Sequence, residues 1–489
     1  MPSPNHLCGV SFSCCGVSFS SLGASAPLGG VSAIRRLIGL FLALLLIPLS
    51  AQERTQTPPP ALRDRPPILQ LTLKRAVEIA LAPEGNARVQ IAQELIRQSE
   101  SRAAQARSAL LPNVDSSLNY SNRTVNLRAM GFQFTSPFPG LVIPTFIGPF
   151  DVLDLRASGQ QNIFDFSTIR RYQAARTAVT ATKAETRGTK NQVADQVARA
   201  YLAAIRADAS LATAKANLEL SEALVKLANS QKIAGTGTGI EVVRAETQRA
   251  NDRQRLIVAE NERDRAHLQL MRVLGLKLEG GVELTDTLSF KAIDTPAPEQ
   301  AMKVAQASRA ELEAQRERES TAGLNYSATK WERLPSVGFF GDYGTIGNGT
   351  DQLLPTRAYG LALRVPVFDG GRRDARRAES LSQLRVEQIR TRDLKEQIAL
   401  DIRLALDALE SATAQVSAAK EGIELADREL EHARRRYEAG VATSIEVTDA
   451  QARVQRAREN QINALFNYNL ARIDLNTAMG TIDDLVNNF

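Results

Sequence analysis

From Ile402 onward a large apolar residue returns at every seventh position: Ile402, Leu409, Val416, Ile423, Leu430 and Tyr437. An alanine stands three residues after each of the first five, at Ala405, Ala412, Ala419, Ala426 and Ala433. The series has a copy offset by 205 positions, the difference between Gly440 and Gly235. The copied apolar positions are Val197, Ala204, Leu211, Leu218, Val225 and Lys232, and the small ones are Ala200, Ala207, Ala214, Ser221 and Ala228. A sustained seven-residue repeat predicts left-handed coiled-coil packing, because the seam stays on one side only if the helices supercoil. Small residues at one seam position let helix backbones approach closely. A design present twice predicts two homologous halves stacked on one another.

Proline marks the boundaries of the helices. None occurs between Pro149 and Pro296, and none after Pro366. Each proline-free region predicts a long helix, over 167–234 and 372–439, followed by a glycine (Gly235, Gly440) at the usual helix stop. Shorter helices follow over 240–275 and 445–480. At 1.5 Å per residue the long helices span about 100 Å and the shorter ones about 54 Å. A further helix over 86–110 stops before Pro112; placed end to end with the 240–275 helix, it nearly matches the long one.

Between the helices of each half the period changes from seven to two. Val114, Ser116, Leu118 and Tyr120 alternate with Asp115, Ser117, Asn119 and Ser121. Val337, Phe339, Gly341 and Tyr343 share one face, as do Tyr359, Leu361, Leu363 and Val365. Strands are predicted at about 112–122, 152–164, 335–344 and 358–368, with external loops over 131–150 and 344–356. Alternation over eight to ten residues fits a transmembrane barrel strand, apolar outward and polar inward. Four strands cannot close a barrel, so strands in a membrane require oligomerisation; three copies give twelve. The predicted fold is mainly α with a β-barrel part, in duplicated helix-strand-strand-helix halves. The first repeat runs over 71–290 and the second over 291–489.

Arg35-Arg36, an apolar run over 37–49 and Ser50-Ala51-Gln52 make a positive, apolar and small-residue series. That predicts a signal peptide over 1–51, cleaved near Ala51, with translation starting near Val31. A proline-rich linker follows over 52–70. All three cysteines (Cys8, Cys14, Cys15) precede the apolar run, so no disulfide, thiol chemistry or lipid attachment is expected of the mature chain. Past residue 52 no apolar run is long enough for a transmembrane helix.

The 60 basic and 54 acidic residues leave a net charge of +6, with signs interspersed as in Arg372-Arg373-Asp374-Ala375-Arg376-Arg377-Ala378-Glu379. This is the look of a solvated helix face. No basic stripe carries stacking aromatics, which argues against a nucleic-acid partner. Gly235-Thr236-Gly237-Thr238-Gly239 looks like a phosphate loop but lacks the Lys-Ser/Thr pair and a preceding strand. His267 and His432 have no zinc-ligand spacing around them. No cofactor, metal or catalytic residue is predicted, and the chain is not read as an enzyme.

The segment Arg436-Tyr437-Glu438-Ala439-Gly440-Val441-Ala442-Thr443-Ser444-Ile445-Glu446-Val447-Thr448-Asp449-Ala450 carries a family resemblance. So do its first-half copy, Ile233-Ala234-Gly235-Thr236-Gly237-Thr238-Gly239-Ile240-Glu241, and Leu111-Pro112, Leu334-Pro335 and Val365-Pro366-Val367-Phe368-Asp369-Gly370-Gly371 around the strands. In this order and in duplicate, the chain resembles the TolC-like outer-membrane efflux proteins. The resemblance implies a homotrimeric channel-tunnel, with a twelve-stranded barrel in outer-membrane lipid above a periplasmic α-helical barrel. It implies a periplasmic adaptor and an inner-membrane pump as partners, in efflux or type I secretion. It places the entrance at the tips over 235–244 and 440–449, with Glu241, Arg244, Glu446 and Asp449 lining the gate. It puts adaptor contact at Gly235, Gly440, Tyr437, Val441 and Ser444. The acids have a second role available, as helix N-terminal charges that favour the dipole. Where some members carry a basic residue after the second-tip glycine, this chain has Val441 and Ala442, and an Arg244–Asp449 contact is the remaining candidate closure. The runner-up function is a periplasmic coiled-coil scaffold with no pore.

Overall fold

The computed structural model describes residues 69–132, 144–350 and 352–487. The expected signal peptide with its cysteines, nearly all of the linker, and 133–143 of the first external loop lie outside the described residues.

A short strand β1 (Leu69–Leu71) opens the described chain, followed by α1 (Leu73–Leu81) and α2 (Ala87–Ser108). Strands β2 (Asn113–Asn126) and β3 (Phe146–Phe164) lead into α3 (Phe166–Ile233), 68 residues long, and α4 (Gly239–Leu274). The second half repeats the plan: β4 (Val282–Leu284), α5 (Pro298–Ser308), α6 (Ala310–Trp331), β5 (Ser336–Gly347), β6 (Leu353–Arg364), α7 (Arg372–Glu438), α8 (Ser444–Met479) and α9 (Ile482–Asn487). No helix is long and apolar enough to cross a membrane among the described residues.

The strand-to-helix transition is fixed by a cap. Asp165 accepts from the backbone N–H of Ser167 at 2.9 Å and of Thr168 at 3.3 Å, satisfying donors that the first turn of α3 leaves open. At the far end Gly235 and Gly440 take positive φ of 76° and 73° with no atom within 4 Å of a would-be Cβ. Glycine is required there for conformation and not for space.

The seven-residue seams are buried where the coiled coils meet other elements. Val197 and Ala204 enter a core with Leu71, Leu73, Tyr201, Leu270 and Leu274. Ile402, Ala405, Leu409 and Ala412 pack with Ala301, Leu312, Tyr468 and Leu475. Leu430, Ala433 and Tyr437 close a third core with Val447, Ala450 and Val454. Between these cores Leu211, Leu218, Val416, Ile423 and Ala419 are only half-buried, and Lys232 is exposed. The seam is therefore discontinuous in one chain. At the first core the Tyr201 hydroxyl lies 2.7 Å from Asp286 Oδ2 and 2.8 Å from the Leu71 carbonyl, and Leu73 N–H donates to Asp286 at 2.9 Å. This knot ties α3 to the parallel β1–β4 pair. Because β1 and β4 are far apart in sequence, neither shows in local patterning.

The other four strands form one antiparallel sheet in the order β2-β3-β5-β6. They run beyond the predicted limits: β2 to Asn126, β3 from Phe146, β5 to Gly347 and β6 from Leu353. The end of the first expected external loop, 146–150, and most of the second, 344–347 and 353–356, are thus strand. Glycine in both, and phenylalanine in the first, made those stretches look like loops. Pro149 sits beside a register shift between Arg123 and Val125, and Pro355 lies on β6, an outermost strand, where a missing N–H is tolerated.

Leu409→Ala is expected to cost about 2–5 kcal/mol through the cavity left in a closed core. Val416→Ala, at a half-buried position, is expected to cost clearly less. Urea unfolding followed by helical circular dichroism checks the ranking; equal midpoints for the two variants would contradict the discontinuous seam.

Candidate functional site

The two ends of the α3–α4 and α7–α8 hairpins carry distinct surfaces: a tip at one end and the sheet at the other.

At the tips, the first turn is held by Thr236 and Gly237 N–H groups donating to the Gln231 carbonyl at 3.0 Å each. Thr238 then begins α4 in a capping box: its N–H donates to Glu241 Oε2 at 3.0 Å. Glu241 is thus engaged in starting its own helix. It also lies close to Tyr437 of the other hairpin. Burial raises the Tyr437 phenol above its ordinary pKa, and the nearby Glu241 charge raises it further. Tyr437 is 5% exposed and belongs to the third core, so its side chain supports the tip from within. Gly235, Gly440 and Val441 (68% exposed) are the tip residues that face outward, with Ser444 half-buried behind them.

Glu446 pairs with Arg436 across the second turn, Nε to Oε2 at 3.6 Å, with both side chains well exposed. The Arg244–Asp449 contact is absent: both residues are exposed and neither makes an ion pair among the described residues. The two are equivalent positions of the repeat, one on α4 and one on α8. Those helices barely meet, because α3 packs against both. Repeat-related positions therefore do not face each other within one chain.

Sequence reasoning missed a small polar cavity of about 20 Å³ between the hairpins, roughly the size of one water. Ser221 of α3, Glu241 and Gln248 of α4, Tyr437 of α7, and Ser444 and Gln451 of α8 line it. The Tyr437 hydroxyl, Ser444 Oγ and Gln451 Oε1 are buried there without a hydrogen bond to protein among the described residues. One signal was available: Ser221 is the single hydroxyl in the alanine series of the seam.

At the other end, the register separates two faces. Val114, Gly159, Gly341 and Tyr359 form one row across all four strands, and Leu118, Leu155, Thr345 and Pro355 another. Tyr120, Leu153, Gly347 and Leu353 continue this face, as do Phe339 and Leu361; Ser116, Gln161 and Arg357 interrupt it. The opposite face carries Asp115, Ser158 and Asp342 in one row and Ser117, Arg156, Gly344 and Thr356 in the next. There Arg156 pairs with Asp342 at 3.0 Å and Asp154 at 3.3 Å. The first face is mostly apolar and exposed, with Asn122 and Asp151 polar at its outer end; the second is mostly polar, with Arg156 paired inside it and Phe340, Ile346 and Leu354 among its residues. Both outer strands, β2 and β6, have an open edge.

His267 faces Asp208, Nε2 to Oδ1 at 3.0 Å, and Arg263 Nε lies 3.3 Å from the same oxygen. Burial alone raises the Asp208 pKa, but the hydrogen bonds and charges of His267 and Arg263 outweigh it and lower the value. This is an α3–α4 clamp. No group of three metal-ligating side chains occurs among the described residues.

A duplicated helical-hairpin body with a four-stranded, two-faced sheet is the protomer architecture of an outer-membrane channel-tunnel. The family model described as "Outer membrane efflux protein" matches residues 79–276 and 301–481, and the chain belongs to that family. Outer membrane efflux protein BepC of Brucella suis is 27% identical over 60% of this chain, which spans 64% of that protein's length. Pyoverdine export outer membrane protein OpmQ of Pseudomonas putida is 24% identical over 79% of this chain and 81% of its own. Outer membrane protein TolC of Vibrio cholerae is 23% identical over 59% of this chain and 68% of its own. Among solved structures, VceC of Vibrio cholerae superposes with a TM-score of 0.69 at 18% identity, covering 83% of this chain and 96% of that one. The CmeC outer membrane channel of Campylobacter jejuni gives 0.72 at 16% identity, covering 85% and 88%. The family is one of outer-membrane efflux proteins, which favours the channel over the scaffold.

Tyr437→Phe, removing a hydroxyl with no protein partner, is expected to change stability by about 1 kcal/mol or less. Tyr437→Ala, emptying a core position, is expected to cost about 3–5 kcal/mol. Thermal melts of both variants check this; equal losses would mean that the hydroxyl, and not the ring, holds the tip.

Proposed function

We propose that three copies of this chain close a twelve-stranded barrel in the outer membrane, continued by their helices as a periplasmic conduit. The carrying observation is the four-strand sheet, mostly apolar on one face and mostly polar on the other, with both edges open. Hydrocarbon has no partner for an open edge, and closure by further copies removes it. The conduit is the passive exit duct of a tripartite efflux or type I secretion system. A periplasmic adaptor docks on the tip at the outward residues Gly235, Gly440 and Val441 and at Ser444 behind them, and an inner-membrane pump supplies the energy and selects the cargo. Tyr437 holds the tip in shape behind that surface. Glu241, Arg244, Glu446 and Asp449 line the entrance; threefold symmetry makes each a ring, and carboxylate rings favour cations.

Light scattering of the protein extracted from membranes should give a three-chain particle that needs detergent. A monomer or dimer soluble without detergent would leave the non-pore scaffold as the reading. In bilayer recordings, Glu446→Ala with Asp449→Ala should weaken the preference for cations; unchanged selectivity would remove both residues from the entrance.

A further inference from the structure

The helices keep the order of the strands. Strands run β2-β3-β5-β6, and the helices joined to them pack as α2-α3-α6-α7. Helices α2 and α7 therefore continue the two open edges. On the trimer reading above, on which this inference rests, α2 of one copy lies beside α7 of the next.

Both sides of that seam are basic at its upper end. Arg102 and Arg107 stand in the last two turns of α2, next to β2, and Arg372 and Arg377 in the first two turns of α7, after β6. Several neighbouring cations are paired within the chain, whereas Arg170, Arg176, Lys330 and Arg364 make no ion pair among the described residues and add to the positive charge of this level. Arg97 pairs with Glu94, and Lys183 with Glu100. Arg171 and Arg376 pair with Glu332, Arg333 with Asp374, and Arg373 with Asp369. Arg102, Arg107, Arg372 and Arg377 make no ion pair among the described residues; three are exposed and Arg377 is half-buried. The acids left at this level are Glu379, which accepts from Gln383, Asp165, which caps α3, and Asp115, which is on the polar face of β2. Bringing two basic helix ends together repels them unless an anion stands between.

The level of the seam identifies the anion. From Leu353 to Leu363 the apolar face of β6 covers ten residue steps. At about 3.4 Å per step and roughly 45° tilt that is about 25 Å, the height of a barrel's lipid-facing band. The band thus ends just above the four arginines. An aromatic group marks the same level. Phe164 and Phe166 rings are 4.6 Å apart, Phe166 and Trp331 5.7 Å apart, and Lys330 lies 5.7 Å over Trp331. Val367 and Phe368 are 92% and 88% exposed beside them. Aromatics at the end of an apolar band mark a membrane–water interface.

We propose that phosphates of anionic phospholipid headgroups in the periplasm-facing leaflet bind the top of each intersubunit seam. They join Arg102 and Arg107 of one copy to Arg372 and Arg377 of the next. Guanidinium forks match phosphate oxygens two at a time, and a lipid phosphate is held at this depth by its own acyl chains.

The test is native mass spectrometry of the detergent-purified trimer after exposure to phosphatidylglycerol or phosphatidylcholine. The wild type should retain phosphatidylglycerol in preference, and R102Q/R107Q/R372Q/R377Q should lower its retention by roughly tenfold or more. If the fourfold variant loses its trimer, R107Q/R377Q carries the comparison, with a smaller loss expected. Equal retention of both lipids by a wild-type trimer overturns this inference alone. So does a variant that retains as much phosphatidylglycerol as the wild type, or displacement of the lipid by equimolar inorganic phosphate. A wild type that is not a trimer overturns the barrel reading and this inference together.

Discussion

A strand edge is a row of backbone donors and acceptors that must be paired, and hydrocarbon offers nothing to pair them with. Each chain has two such edges, on β2 and β6. The rest of the architecture follows from that constraint. Because the helices leave the sheet in strand order, closing the sheet also closes the layer of helices below it. The seam is discontinuous within one chain. Leu211, Leu218, Val416 and Ile423 are half-buried in one chain, at positions where the repeat asks for full burial. On the trimer proposed above, Val416 and Ile423 of α7, which continues an open edge, are positions that a neighbouring copy would cover.

The long helices were legible because their pattern is strong and their punctuation clear: a seven-residue repeat, proline-free stretches and glycine stops at Gly235 and Gly440. The strands were legible where side chains alternate, as from Val114 to Ser121. They were cut short where 131–150, rich in glycine and phenylalanine, and 344–356, rich in glycine, look like loops; Pro355 is tolerated because β6 is an outermost strand, a property of the sheet and not of the segment. Strands β1 and β4 were not legible at all: three residues each, paired across more than two hundred positions.

The tip divides along the same line. Residue types pointed to the turns and to their acids, and gave Glu241 a second role as a helix N-terminal charge; the capping box it makes with Thr238 is seen only in the structure. Pairing across the turn did not follow. Alignment of the repeats suggested Arg244 with Asp449, yet the ion pair that forms is local, Arg436 with Glu446. Nor did the alignment reveal that Tyr437 turns inward. Its place in the seven-residue series was the better guide, since that series marks buried positions.

The two tips are built on one plan but not in one material. The first turn reads Gly235-Thr236-Gly237-Thr238-Gly239; the second, Gly440-Val441-Ala442-Thr443-Ser444, has one glycine where the first has three. Glycine gives a chain more backbone freedom than any other residue. In a ring of three copies six tips surround the entrance, alternately supple and stiff. The repeat alone would make that ring sixfold; composition reduces it to threefold. If the proposed ring widens at its entrance, it has two kinds of hinge, and the glycine-rich kind has the greater backbone freedom.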